Sequence, residues 1–456
     1  MSDSDIRQRS LTQGPIFKAL LAFSLPMILT NTVNILFHAA DVGVLAIFAS
    51  GPAVAAVGAC GSLISLLVSI FTGLATGANV LISKTIGAND EQRTKKAIGT
   101  SLTVGLLSGI ILMIIALIFA RQFLIMMNCQ PDVLDMATLY LQIYFLGMPI
   151  MMLNNFVIAI LRASGDSLRP MIYMIISGVV NVGANIFFVT VFNMTVDGVA
   201  LATVLSTAIA LVLALIRLLR ETGICRIELK NLRIHKDELY DITRIGVPTC
   251  FCSIFFYIGG VVISSAVNSM STVAMTANAI SAQFDGIIYT VGLAIAMSTS
   301  VMVAQNYGAG QFARIKKILN VSVVYTTVTS LSLGAIFVLF SDLLLGIMSD
   351  APEVLAMAKE RMTLLCLTYF LTSIMEVMAL SLRVLNKPKA TVLVGFVCGL
   401  VFRSLWVYFI WPMNPTLFML YSSFALSTLL AIGIYTLFYR SAFKSFPKES
   451  LATYKC

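Results

Sequence analysis

Five ionisable side chains stand in stretches otherwise too apolar for them. Asp41 lies in "LFHAADVG" with His38 three residues before it, so a helix places both on one face. Asp285, Glu376 and Arg403 lie in three further apolar runs. A carboxylate near a bilayer centre costs roughly 3 kcal/mol on insertion scales, so each such group must be used or neutralised. The chemistry open to them is proton exchange, cation coordination or interhelical ion pairing. Asn34 extends the Asp41 face, and Asn155, Asn181, Asn185 and Thr203 in neighbouring runs can complete a polar pocket around it. Asn181 and Asn185 share a face at i, i+4 spacing. Glu376 and Arg403 lie inward from matching ends of adjacent runs and can neutralise one another. Asp285 has Gln283 two positions earlier, on a different helical face.

An enzyme needs more than this. The only histidines are His38 and His235, and no GxxxxGK[ST] run supplies a nucleotide engine. The eight cysteines are scattered without metal-ligand spacing, and Cys250 and Cys252 do not form a CxxC pair, so they read as small apolar packing residues. No catalytic constellation, cofactor motif or metal cluster is expected. Na⁺ at Asp41 is the one metal ion these residues allow.

The elements that must position these residues are membrane helices. The 456 residues are 59% hydrophobic and only 11% charged, with mean hydropathy +0.94, against about 25% charge in soluble domains. Twelve apolar runs can each span a ~30 Å core, near 16–46, 53–83, 97–119, 133–160, 169–191, 195–219, 241–267, 273–304, 318–340, 354–382, 391–411 and 416–439. Pro26 and Pro248 are expected kink points. Of 30 Lys and Arg, 26 fall at the N-terminus and in every second connection. That alternation places both termini in the cytoplasm. The opposite side has only Arg121, Lys359 and Arg361. The net charge of +9 therefore reads as topology and not as a nucleic-acid footprint.

The chain also repeats itself. "MNCQPDVLDMA" (127–137) matches "MSDAPEVLAMA" (348–358) at an offset of 221, which also maps Leu161-Arg162 onto Leu382-Arg383 and Gly178 onto Gly399. Pro26 and Pro248 differ by 222. Each half holds an even number of spans, so the halves are parallel repeats. The expected architecture is an all-α polytopic membrane protein of twelve transmembrane helices in two six-helix lobes, 1–216 and 245–456. The charged segment 217–244 is the cytoplasmic linker. Two complete lobes in one chain remove any need for a dimer. Paired lobes with intramembrane acids suit alternating access driven by an ion gradient. A lipid flippase of the same fold is the alternative, although Arg403 alone would provide its cationic cavity. A non-transporting scaffold gives the acids no purpose.

The chain resembles the multidrug and toxic compound extrusion (MATE) family over nearly its whole length. "FSLPMILTNTVNILFHAADVGVLAIF" resembles that family's first span, with Pro26 and Asp41, and "GLATGANVLISKTIGANDEQRTKKA" its second span and basic loop. "LRASGDSLRP" and "AQNYGAGQFARIKK" are similar to two of its loop motifs. The resemblance implies a V-shaped pair of six-helix bundles in a bacterial cytoplasmic membrane. It implies export of organic cations and amphipathic drugs against H⁺ or Na⁺. Asp41 then matches the cation-coupling acid, Asn181 and Thr203 its polar partners, and Asn155 the asparagine before the loop arginine. The chain departs in three places. Asn185 stands where many members have a second acid, His38 where Asn is common, and "FCSIFFYIGG" where some carry an acid in span seven. His38 with Asp41 can substitute for the missing acid, or Asp285 or Glu376 can move coupling to the second lobe.

Overall fold

The computed structural model describes residues 11–48, 51–127, 129–221 and 223–446. Within them the chain forms helices and no strands. They are α1 (Ile16–Phe48), α2 (Gly51–Gly87), α3 (Glu91–Met126), α4 (Pro131–Leu146), α5 (Met148–Ala163), α6 (Leu168–Val191), α7 (Val196–Leu219) and α8 (Lys236–Asn268), then α9 (Thr272–Gly308), α10 (Phe312–Leu339), the short α11 (Ser341–Gly346), α12 (Pro352–Val384), α13 (Pro388–Met413) and α14 (Leu417–Lys444). Eleven are long and apolar enough to cross a membrane. The pair α4 and α5, bent by 48°, makes a twelfth span.

Local chemistry sets several boundaries. Asp90, Ser271 and Thr416 each accept a hydrogen bond from the backbone N–H three residues on, capping α3, α9 and α14. Proline occupies the first turns of α4, α5, α12 and α13, where its missing N–H is harmless. The repeat is visible in the turns as well. Asn89 (φ 55°) and Gly310 (φ 70°) both end helices in the left-handed region, as do Gly165 (φ 86°) and Asn386 (φ 60°). Each pair stands 221 apart, and Gly and Asn are the residues that tolerate this backbone.

Pro26 and Pro248 lie inside helices that continue through them. A bend of 48° falls at Gly147, where a Cβ would strike the Val204 side chain of α7. Only glycine permits that approach, and Pro149 starts the next helix without losing a needed N–H.

The helices pack as two units. The first holds Leu25–Cys250, and the second Leu11–Ser24 with the chain from Phe251 onward. Pro26 and Pro248 thus sit within two residues of the points where α1 and α8 pass from one unit to the other. In the second unit, Leu11 O accepts from Asn306 Nδ2 (3.0 Å) and Gly14 O from Arg314 Nη2 (2.9 Å). In the first, the start of α8 is held by the Arg93–Asp241 ion pair (2.7 Å) and by buried Ile242. The first unit has two apolar cores, one around Phe145 and Met152 and one around Phe156 and Ile160. The main core of the second gathers Ile263, Phe284, Met362 and Val407. Cys60, Cys225, Cys250, Cys252, Cys366 and Cys398 are buried free thiols and Cys129 is half-buried, as expected of packing residues. Cys456 lies outside the described residues.

Candidate functional site

In the first unit, α1, α6 and α7 bring four of the expected residues together. Asn185 Nδ2 donates to Asp41 Oδ1 at 2.5 Å and to Asn181 Oδ1 at 3.3 Å. Asn181 Nδ2 donates to Thr203 Oγ1 at 3.4 Å, and that hydroxyl donates to Val199 O at 3.0 Å. Asp41, Asn181 and Asn185 are 8%, 5% and 0% exposed, so the chain is shielded from bulk solvent. The i, i+4 spacing of Asn181 and Asn185 builds its centre, as the sequence suggests. Asn185 Oδ1 is buried and accepts no hydrogen bond among the described residues. An orphaned buried acceptor costs about 1–3 kcal/mol. It stands on the amide that already holds Asp41, so a proton on the carboxylate or a cation beside it meets a ready oxygen ligand. Asn34 and Asn155 are half-buried and are not joined to this chain among the described residues. His38 lies on α1, but its side chain is outside the described residues.

The second unit treats its charges differently. Asp285 is engaged by Arg361 through two contacts, Nη1 to Oδ1 at 3.0 Å and Nη2 to Oδ2 at 3.3 Å. Arg361 Nη1 also donates to Ser281 (2.9 Å), and the guanidinium lies 4.3 Å from the centroid of the Tyr421 ring. Tyr421 in turn donates to Asn278 Oδ1. Sequence reading set Arg361 among the charges of the outer side. The structure instead buries it on α12 at 3% exposure, facing α9. Its signal was its place nine residues into helix α12, within reach of any acid on a neighbouring helix.

Glu376 is partly buried and accepts from Tyr289 at 3.5 Å. The expected Glu376–Arg403 neutralisation is not formed among the described residues. Arg403 lies 4.0 Å from the Phe424 ring and 5.4 Å from the Phe256 ring, where cation–π attraction replaces a carboxylate. Gln283 is exposed, on a face of α9 away from buried Asp285.

The repeat makes the asymmetry specific. An offset of 222, set by Pro26 and Pro248, carries Asp41 to Ile263 and Asn185 to Val407. Both are buried in one apolar core cluster. Where the first unit has a carboxylate–amide pair, the second has two aliphatic side chains.

The chain matches the MatE family model twice, over residues 26–187 and 248–409, well over half its length. The two stretches begin and end 222 residues apart. Among curated relatives, the probable multidrug resistance protein YoeA of Bacillus subtilis is 25% identical over 81% of each chain. The multidrug export protein MepA of Staphylococcus saprophyticus is 23% identical over 76% of each. Among solved structures, a MATE in the bent conformation aligns over 99% of both chains with TM-score 0.90 and 19% identity. An outward-facing multidrug resistance MATE family transporter aligns over 96% of this chain and 98% of its own, with TM-score 0.87 and 19% identity. At that identity the structural likeness carries the fold.

Proposed function

This chain belongs to the MATE family of membrane transporters, and from that premise we propose that it exports organic cations and amphipathic drugs in exchange for H⁺ or Na⁺, by alternating access. The observation that carries the reading is the Asp41–Asn185–Asn181–Thr203 chain, with the orphaned Asn185 Oδ1 at its centre. A protonated Asp41 becomes a hydrogen-bond donor, and Asn185 Oδ1 is the acceptor beside it. Na⁺ would draw on the same oxygens, since hard cations take carboxylate and amide carbonyl ligands. Either event takes Asp41 from accepting an amide N–H to engaging an amide oxygen. The reversal is passed along Asn181 to Thr203 and so reaches α1, α6 and α7 together. That is the coupling step proposed for the lobe formed by residues 1–216.

Asn34, Asn155, Gln283 and Glu376 remain the proposed substrate contacts, with Asp285 acting through Arg361. His38 is the proposed companion of Asp41. The proposed topology has both termini in the cytoplasm with residues 217–244 as linker, and a monomer as the working unit. Names of relatives such as YoeA and MepA favour drug export over the flippase alternative. The test is ethidium flux in proteoliposomes under H⁺ and Na⁺ gradients imposed separately. Flux driven by at least one gradient supports the reading. Equal flux with and without both gradients would falsify it.

A further inference from the structure

At the place matching Asn181, the second unit carries a guanidinium. Helices α7 and α14 begin 221 residues apart, pairing Thr203 with Phe424 and Ser206 with Ser427. In the first unit Asn181 reaches Thr203. In the second, Arg403 lies over Phe424 at 4.0 Å and its Nε donates to Ser427 Oγ at 3.5 Å. The π-helical turn Gly395–Phe402 in α13 explains why Gly178 and Gly399 keep an offset of 221 while Asn181 and Arg403 stand 222 apart. An i→i+5 turn accommodates one extra residue, and such turns recur at functional sites. Close packing supports the same correspondence. A Cβ on Gly178 would strike Phe37 of α1, and one on Gly259 of α8 would strike Gly399 O.

Arg403 is mid-span and 7% exposed. A guanidinium offers five N–H donors in a planar fork, and ring faces satisfy its charge but accept no forked hydrogen bond. Arg361, in the same unit and also buried, is the internal contrast. Its fork is filled by Asp285 of the protein itself, whereas no protein carboxylate lies within ion-pair distance of Arg403 among the described residues. An intramembrane ion without an acid partner is a functional site by default, and the chemistry that completes this one is a carboxylate.

We infer that Arg403 recognises the carboxylate of zwitterionic amphiphiles, a subset of the exported organic cations. The inference rests on the export reading. The same repeat position is thus an amide in the cation-binding chain of the first unit and a carboxylate-binding guanidinium in the second.

The probes are a rhodamine free acid, which is zwitterionic, and its methyl ester, a plain cation on the same ring system. Fluorescence anisotropy measures binding of each to detergent-purified, full-length protein. Arg403→Gln weakens the free acid by about tenfold or more and the ester by less than about threefold. Arg403→Lys, which keeps charge but loses the fork, falls between. Retained binding of the ester shows that each variant is folded. Equal loss for both dyes, no loss for either, or a parent protein that ignores the free acid would each overturn the assignment. The export reading is tested apart, by gradient-driven flux of the ester in proteoliposomes. Failure there with the binding contrast intact sinks export and leaves the carboxylate site standing.

Discussion

Asn185 donates to Asp41 at 2.5 Å across the α1–α6 interface, while its own carbonyl oxygen is buried and accepts nothing among the described residues. One amide therefore donates to the carboxylate and keeps a second polar atom that a protonated or cation-bound Asp41 would meet. Each consequence can be measured.

Replacing Asn185 with Asp puts a second carboxylate within hydrogen-bond reach of the first. Two such groups cannot both ionise readily, so the pair holds a proton that one carboxylate alone gives up. The pH profile of drug flux should move to higher pH in Asn185→Asp. An unmoved profile with normal flux would remove Asn185 from the coupling chain.

The Asp285–Arg361 pair makes a different prediction. Removing one partner strands a buried charge and costs about 3–5 kcal/mol, whereas a well-packed apolar replacement of both is much milder. Asp285→Leu and Arg361→Met should each lower the thermal midpoint in detergent more than the double variant does. Additive losses would mean that the two side chains act independently.

At the bend between α4 and α5, Gly147→Ala should destabilise by about 1–3 kcal/mol through overpacking against Val204. Val204→Ala in the same chain should recover most of that loss. If it does not, the Val204 side chain is not what position 147 has to clear.

The linker carries a pH dependence of its own. Lys95 and Lys230, hydrogen-bonded to Glu228, hold its carboxyl below the usual range. A depressed folded-state pKa contributes stability above the unfolded value and loses it as pH falls through the folded one. Hydrogen exchange of residues 223–236, taken as a ratio to the intrinsic rate at each pH, should be slow at neutral pH and rise below about pH 4. Lys95→Gln should raise it at neutral pH. Exchange in Lys95→Gln matching that of the parent at neutral pH would show that the packing of Gly99 against Asn231 and the Thr100–His235 hydrogen bond hold the linker without Lys95.

Much of this was legible in the sequence because it depends on length and period. Runs of about twenty apolar residues can only be spans, and the offset of 221 between residues 127–137 and 348–358 exposes the repeat. Asp41, Asn181 and Asn185 were readable from burial cost and i, i+4 spacing. What was not legible depends on contacts between distant residues. Arg361 meets Asp285 across 76 positions, and no local pattern says which arginine finds which acid. Arg403 was paired with Glu376 because opposite charges on adjacent spans invite it, but side-chain direction gave it the Phe424 and Phe256 faces instead. The slip of the repeat from 221 to 222 follows a π-helical turn with no glycine or proline signature of its own beyond Gly395 and Gly399. The 48° bend at Gly147 rests on such a distant contact too, since α7 comes too close there for any side chain.

The central claim is that Asp41 is the carboxylate through which an ion gradient drives export. The most direct measurement is ethidium flux in proteoliposomes carrying Asp41→Asn, set beside the parent protein under the same imposed gradient. Asn keeps the size of the side chain and can still bond Asn185, but it can neither bind a proton nor balance a cation. The account predicts that gradient-driven flux falls by about tenfold or more, with the protein still folded and ethidium still bound. Flux from Asp41→Asn equal to the parent's under that gradient would contradict it.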